Sequence, residues 1–336
     1  MHKRLVIFIG LLFLSNILYA QRISLPDLKI LQKKEDSLKA LSVKIIQGKT
    51  AADRFLADSA FTKMFVRALK IKNSFYYPFD SILNISKLSP PDISFKIFTW
   101  QMVINDNVVR QHGAIQMKTD DGSLKLFPLI DKSDVTKNMA DTIGNNFGWI
   151  GAVYYKIIQT QEGNKNYYTL LGYDENNIRS NKKIVEVLSF EIGLPIFGGS
   201  YFNFSDNPVL KQNSRRLILE YKKNASPRLV YDADQEMIIY EHLISETGET
   251  QKKYTYVGDG DYEGLKWKNG KWVHTDKVFD LKTKEGEEPV PSPIRDAKGD
   301  IDQTKLKNNG TGEEGEDVKT DTKIKATPSK VKVKKK

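Results

Sequence analysis

The chain has 336 residues, 52 Lys and Arg against 42 Asp and Glu, and no cysteine. The missing cysteines exclude disulfides, zinc–thiolate centres, thiol nucleophiles and a lipid-modified N-terminal Cys. The length is enough for core packing alone to hold a fold. The net charge of +10 is spread along the chain rather than gathered in one patch, which argues against nucleic acid as a partner.

The first twenty residues read as a secretory signal peptide. Lys3 and Arg4 form a basic start, Leu5 to Leu14 an apolar run, and Ala20 the small residue before a cleavage site. The expected location is therefore periplasmic or secreted. After Ala20 no apolar run approaches the roughly 20 residues that cross a bilayer, so the mature chain is expected to have no transmembrane helix.

Residues 21–91 read as a helical hairpin and a connector. From Asp27 to Gln47, Leu28, Leu31, Leu38, Leu41 and Ile45 recur at helical spacing, and Gly48 ends the run. Thr50 and Asp53 form a capping-box pattern that opens a second helix with Ala57, Phe61, Met64, Phe65 and Ala68 on its apolar face. Both stripes are expected to dock on the β-rich region, since Glu35 inside the first seam disfavours a coiled coil. A helical turn is expected around Ser81 to Ile85, and Pro90-Pro91 stiffens the link.

Residues 92–280 read as β-rich. Ile93–Trp100, Val108–Lys118 and Leu124–Ile130 form a meander across turns at Asn105–Asn107 and Asp120–Ser123. A short helix is expected over Ser133 to Thr142. The segment Phe147–Asp174 reads as the central hairpin, with a four-residue connection at Glu162–Lys165 and apolar bulk on both faces. Val153, Tyr155 and Ile157 are expected on one face, Tyr154 and Ile158 on the other. Further strands are expected at Ile184–Phe190, Arg216–Tyr221, Arg228–Tyr231, Met237–Ile244 and Lys253–Val257, with a Gly/Pro-punctuated loop over Gly193–Gly199. Leu265–Val273 is the clearest hairpin: Asn269-Gly270 suits a type I′ turn, and Trp267 and Trp272 are spaced to pair across it. Residues 281–336 read as a disordered charged tail with an acidic middle and a lysine end. The expected fold class is mainly β, α+β overall: an antiparallel β-sandwich or open barrel preceded by a helical hairpin.

Several of these segments together resemble a group of exported Bacteroidota-type proteins. They are Phe98-Thr99-Trp100, Lys125–Ser133, Gly151–Tyr155, Tyr168–Asp174, Asn181–Ile184, Tyr231-Asp232 and Trp267–Val273. The resemblance spans about residues 93–279. It implies export and a shared fold, and it carries no activity, cofactor or site residue.

The chemistry on offer is sparse. Asp259-Gly260-Asp261-Tyr262-Glu263-Gly264 has the alternating oxygens and sixth-position Gly of a calcium loop, but the twelfth position is Gly270 where a bidentate Glu is needed. His112, His242 and His274 form no local metal pair and read as ordinary strand residues. There is no Gly-x-Ser-x-Gly elbow and no phosphate loop. Asp232 with Asp234, or Glu186 with Glu191, are the acid pairs a glycosidase would need. The four tryptophans suit a sugar-stacking strip or, more simply, a sheet core. No catalytic, cofactor-binding or metal residue is assigned. The leading expectation is a non-catalytic binding or interaction module of the cell envelope, with an envelope protein or glycan as partner. The four terminal lysines, Lys332, Lys334, Lys335 and Lys336, would add electrostatic contact with an anionic surface. The alternative is a hydrolase acting on glycans or peptides.

Overall fold

A computed structural model describes residues 23–279 apart from 106, 107, 208, 209, 211 and 213. The signal-peptide and tail expectations lie outside the described residues. Two helices come first, α1 (Leu25–Gln47) and α2 (Ala51–Leu69). Ser24 caps α1 by accepting the Asp27 amide at 3.2 Å, and the Gly48 amide closes its other end on the Lys44 carbonyl at 2.9 Å. The capping box of α2 is complete. Thr50 Oγ1 accepts the Asp53 amide and Asp53 Oδ2 accepts the Thr50 amide, each at 3.1 Å.

The strands form three sheets. The first has the order β1 (Ser86–Leu88), β2 (Phe95–Asn105), β3 (Val108–Met117), β4 (Lys125–Ile130). The second runs β5 (Gly144–Asn145), β9 (Leu194–Phe197), β8 (Ser180–Glu191), β7 (Lys165–Asp174), β6 (Val153–Glu162), with β11 (Leu217–Lys222) also paired to β8. The third runs β10 (Phe202–Asn203), β15 (Lys271–Thr275), β14 (Tyr256–Lys268), β13 (Met237–Ser245), β12 (Leu229–Asp232). Among the named strands only β10 and β15 pair in parallel; the others pair antiparallel. The fold is mainly β with an N-terminal helical hairpin, as the periodicities imply.

Three cores separate four layers. Leu31, Leu38, Phe61 and Phe65 of the helices pack on Phe98, Trp100 and Met102 of β2. The opposite face of β2, with Phe95 and Ile97, packs on Tyr154, Leu170, Ile184 and Leu188 of the second sheet. That sheet's other face sends Leu171, Val185, Val187 and Leu217 against Ile238, Leu265 and Trp272 of the third. Neighbours such as Leu170 and Leu171 point into different cores, as the two-residue strand period requires. The central hairpin is thus covered on both faces.

Several local expectations are corrected. A bulge at Tyr155 shifts the β6 register, so Tyr154 and Ile157 face the same core and strict alternation fails. The connection after β6 has two residues, because Glu162 already pairs with Lys165. Residues 194–197 form a strand rather than a loop, since Ile192 and Gly193 at φ +52° and +74° turn the chain back on β8. Ser133–Thr142 is not an α-helix, and only Met139–Asp141 makes a 3₁₀ turn. The end of the segment is anchored from a distance: Arg216 Nη1 donates to the Met139 and Thr142 carbonyls, and the Arg215 amide donates to Ala140 at 2.7 Å. The segment Ser81–Ile85 likewise makes turns, not a helical turn.

Arg216 reaches that segment from the second core. Its guanidinium is fully buried against Glu186, Nε to Oε2 3.0 Å. Glu186 also accepts the Tyr154 hydroxyl, which itself accepts Trp149 Nε1 at 2.7 Å. Burial, then the Glu186 charge, pushes the Tyr154 phenol well up. A buried ion that loses its partner destabilises by about 3–5 kcal/mol. Arg216→Met should therefore lower the unfolding free energy by about that amount in urea titrations. Glu186→Leu/Arg216→Met should be less destabilised than Arg216→Met alone. A double variant as unstable as the single one would refute the charge origin.

Candidate functional site

The third sheet gathers what the sequence leaves scattered. The Asn269-Gly270 turn, at φ +50° and +73°, sets the β14–β15 register. Trp267 meets Trp272 and Leu265 meets His274. Two residues back from Leu265 and on the same face lies Glu263, which pairs with Tyr240 of β13. A bulge between Glu241 and Leu243 sets His242 opposite the Asp259–Asp261 stretch, with Gly260 at φ +91°. Bulges re-aim side chains in this way.

The result is a line of alternating acids and imidazoles. Asp206 Oδ1 is 3.0 Å from His274 Nδ1, and His274 Nε2 is 2.7 Å from Glu263 Oε2. Glu263 Oε1 is 3.8 Å from His242 Nε2, and His242 Nδ1 is 2.7 Å from Asp259 Oδ2. Tyr240 donates its hydroxyl to Glu263 Oε2 at 2.7 Å, and Asn207 Nδ2 donates to the same oxygen at 3.1 Å. His274 and Glu263 are buried, while Asp206 and His242 reach solvent.

Burial disfavours the ionised form of each central group, but the partners outweigh it. Hydrogen bonds from His274 and Tyr240 hold the Glu263 carboxyl below its ordinary range. Bonds to Glu263 and Asp206 raise the His274 imidazolium above its ordinary range. The His242 hydrogen bond lowers Asp259 against a burial penalty of the same kind. Tyr240 is driven well up by burial and by the Glu263 charge. The arrangement sets His274 between two carboxylates, with each of its ring nitrogens within 3.0 Å of one.

The other residues considered from sequence fall apart. His112 Nδ1 sits 3.0 Å from Asp58, which also accepts Trp100 Nε1 at 2.8 Å, so this imidazole pins α2 to the first sheet. Glu186 and Glu191 lie five residues apart on β8, a separation of about 16 Å at strand rise. That exceeds any glycosidase pair. Asp232 takes the Asp234 and Gln235 amides at 3.0 Å and shapes a turn. The calcium-like stretch is extended strand inside β14, with the carboxylates of Asp259 and Glu263 turned to His242 and His274. Among the described residues no three His, Asp or Glu side chains are disposed to hold a metal ion. Trp100, Trp149 and Trp272 are core residues, and Trp267 lies edge-on to Trp272 at 5.4 Å.

Asp206, Asn207 and Tyr240 had no local signal in the sequence. The Glu263–His274 neighbourhood had one, because a turn centred on Asn269-Gly270 brings those positions close. A separate groove of about 460 Å³ lies where α1 meets α2, lined by Leu41, Lys44, Gln47, Gly48, Lys49, Asp53, Leu56 and Ala57. Among the described residues no helix is long and apolar enough to cross a membrane. Comparison with protein-family models, curated proteins and solved structures finds no match.

The shifts fix a pH window. The raised His274 pKa contributes stability that is complete below about 6.5 and is lost as pH climbs through the folded value. The lowered Glu263 and Asp259 values contribute stability present above about 4.5 and lost as pH falls through theirs. The stability gap between the wild type and His274→Gln should therefore be widest at about pH 5–6 and narrow toward both sides. Urea unfolding across pH 4–9 measures it. A gap that grows steadily with pH would refute the assignment.

Proposed function

We propose that the chain is a non-catalytic binding or interaction module of the cell envelope, exported by its N-terminal segment. The observation that carries this reading is the separation of the helical-hairpin groove from the acid–imidazole line. An enzyme converges titratable groups into one cleft. Here the groove is lined by the helical hairpin alone and shares no residue with the acid–imidazole line of the third sheet. Within that line the hydrogen bonds of His242, His274 and Tyr240 hold β13, β14, β15 and the loop carrying Asp206 together.

One observation favours a hydrolase as the second reading. The Asp259–His242 pair fixes an imidazole that is 38% exposed, the orientation a general base uses. Turnover of glycan or peptide substrates by the wild type, lost in His242→Gln at unchanged stability, would establish that reading.

The binding role is tested by crosslinked co-purification of tagged protein from its native envelope, with and without residues 281–336. A stoichiometric partner retained on the full chain is expected. Recovery of the protein with no partner and no envelope association in either form overturns the proposal.

A further inference from the structure

We infer that the helical hairpin is the docking surface and that its partner is an anionic lipid surface. The inference rests on the envelope-binding reading above and gives that reading a place on the fold.

Charge is the first argument. Residues 25–72 hold eleven Lys and Arg against five Asp and Glu. Two of the acids are turned inward. Glu35 accepts the Tyr77 hydroxyl and the Ser81 amide, and Asp58 accepts Trp100 and His112. A third, Asp53, closes the capping box. Among the described residues no carboxylate lies within 4 Å of a hairpin lysine; the lysine ion pairs are those of Lys182, Lys222, Lys223 and Lys252. The outward face of the hairpin is therefore cationic and unneutralised.

Apolar exposure is the second. Leu56 is 72% exposed and Phe55 46%, with Ile46 and Val43 also open to solvent. These residues flank the bend between the helices, where the groove is lined by Leu41, Leu56 and Ala57 together with Lys44 and Lys49. The bend is held rigidly. Arg54 donates to the Val103, Gly48 and Ile104 carbonyls at 2.5, 2.7 and 3.1 Å, which ties it to the first sheet. The exposed apolar side chains are thus presented, not free to fold inward.

Cationic side chains around exposed apolar ones are the combination that binds in the interface of an anionic bilayer. Lysine suits that partner better than a protein carboxylate in fixed geometry, because it is a mobile point charge rather than a bidentate fork. Leu56 and Phe55 would enter the headgroup boundary while Lys44 and Lys49 meet lipid phosphates.

The test is co-sedimentation of the full mature chain with vesicles of phosphatidylglycerol and phosphatidylcholine in equal parts, against phosphatidylcholine alone. Binding is expected only to the anionic vesicles and is expected to fall as salt rises from about 0.05 to about 0.5 M. Lys44→Glu/Lys49→Glu and Leu56→Ser, each with an unchanged unfolding midpoint, should weaken it at least about tenfold. Replacing Lys332, Lys334, Lys335 and Lys336 by Glu should change it less than about twofold. Equal binding to both vesicles, or full binding by both hairpin variants, overturns the inference. So does loss of a crosslinked protein partner in those variants without any vesicle binding, which would make the hairpin a protein-docking face. Envelope co-purification that survives in the hairpin variants leaves the binding role standing while the lipid inference falls.

Discussion

The second sheet has to bury both of its faces, and the rest of the protein is arranged to let it. Leu170 and Leu171, or Ile184 and Val185, send adjacent side chains into opposite cores. A strand with apolar groups on both faces is stable only between two covers. The first and third sheets are those covers, and each has a second face to manage. The first gives its outer face to the helical hairpin through Phe98 and Trp100. Without a single disulfide, this stacking supplies the stability, and the layers run in chain order from helices to third sheet apart from β11, which returns to the second.

A middle layer closed on both sides leaves no solvent for a charged group, so Glu186 and Arg216 there are paired with each other. Glu186 has both oxygens engaged, and Arg216 distributes its donors over Glu186 and the carbonyls of the 139–142 segment. The same rule operates at the rim of the third core. Glu263 sits at the margin of that core and is met by His274, Tyr240 and Asn207. These two constellations have the residue types of chemistry, and in space they act as fasteners. Each joins a connecting segment to the strands beneath it.

Features with a local cause were legible. The capping box at Thr50, the docking stripe through Phe61 and Phe65, the two-faced hairpin around Gly163 and the Trp267–Trp272 pair each depend on residues close in sequence. Features with a distant cause were not. Residues 133–142 carry a helix-compatible pattern, but the end of the segment is tied to Arg215 and Arg216, more than 70 residues on, which bond the carbonyls of Met139, Ala140 and Thr142. The bulge at Tyr155 comes from pairing with β7, and no residue near it announces the change of face. Asp206 and His274 are 68 residues apart and meet only because β10 pairs in parallel with β15. Of the candidate site, the hairpin register that places Glu263 near His274 could be read, and the carboxylate that completes it could not.

The distribution of charge stems from the same constraint. The helical hairpin must present an apolar stripe to the first sheet, and the polar side chains within that seam include two acids, Glu35 and Asp58. Each is held by neutral or imidazole donors from the β layers and the connector rather than by lysine. Lysine is the poorer choice for such a seam, because an ammonium has no acceptor to offer and must be fully desolvated. With acids drawn inward and lysines excluded, the solvent face becomes cationic as a consequence of how the hairpin docks. Exposed Phe55 and Leu56 have no such origin. They lie outside the buried core, and neither helix needs them to form, since Ala or Glu would serve at least as well. The packing of the fold accounts for the lysines on this face but not for the apolar residues among them, so it is those residues that mark the face as a surface for a partner.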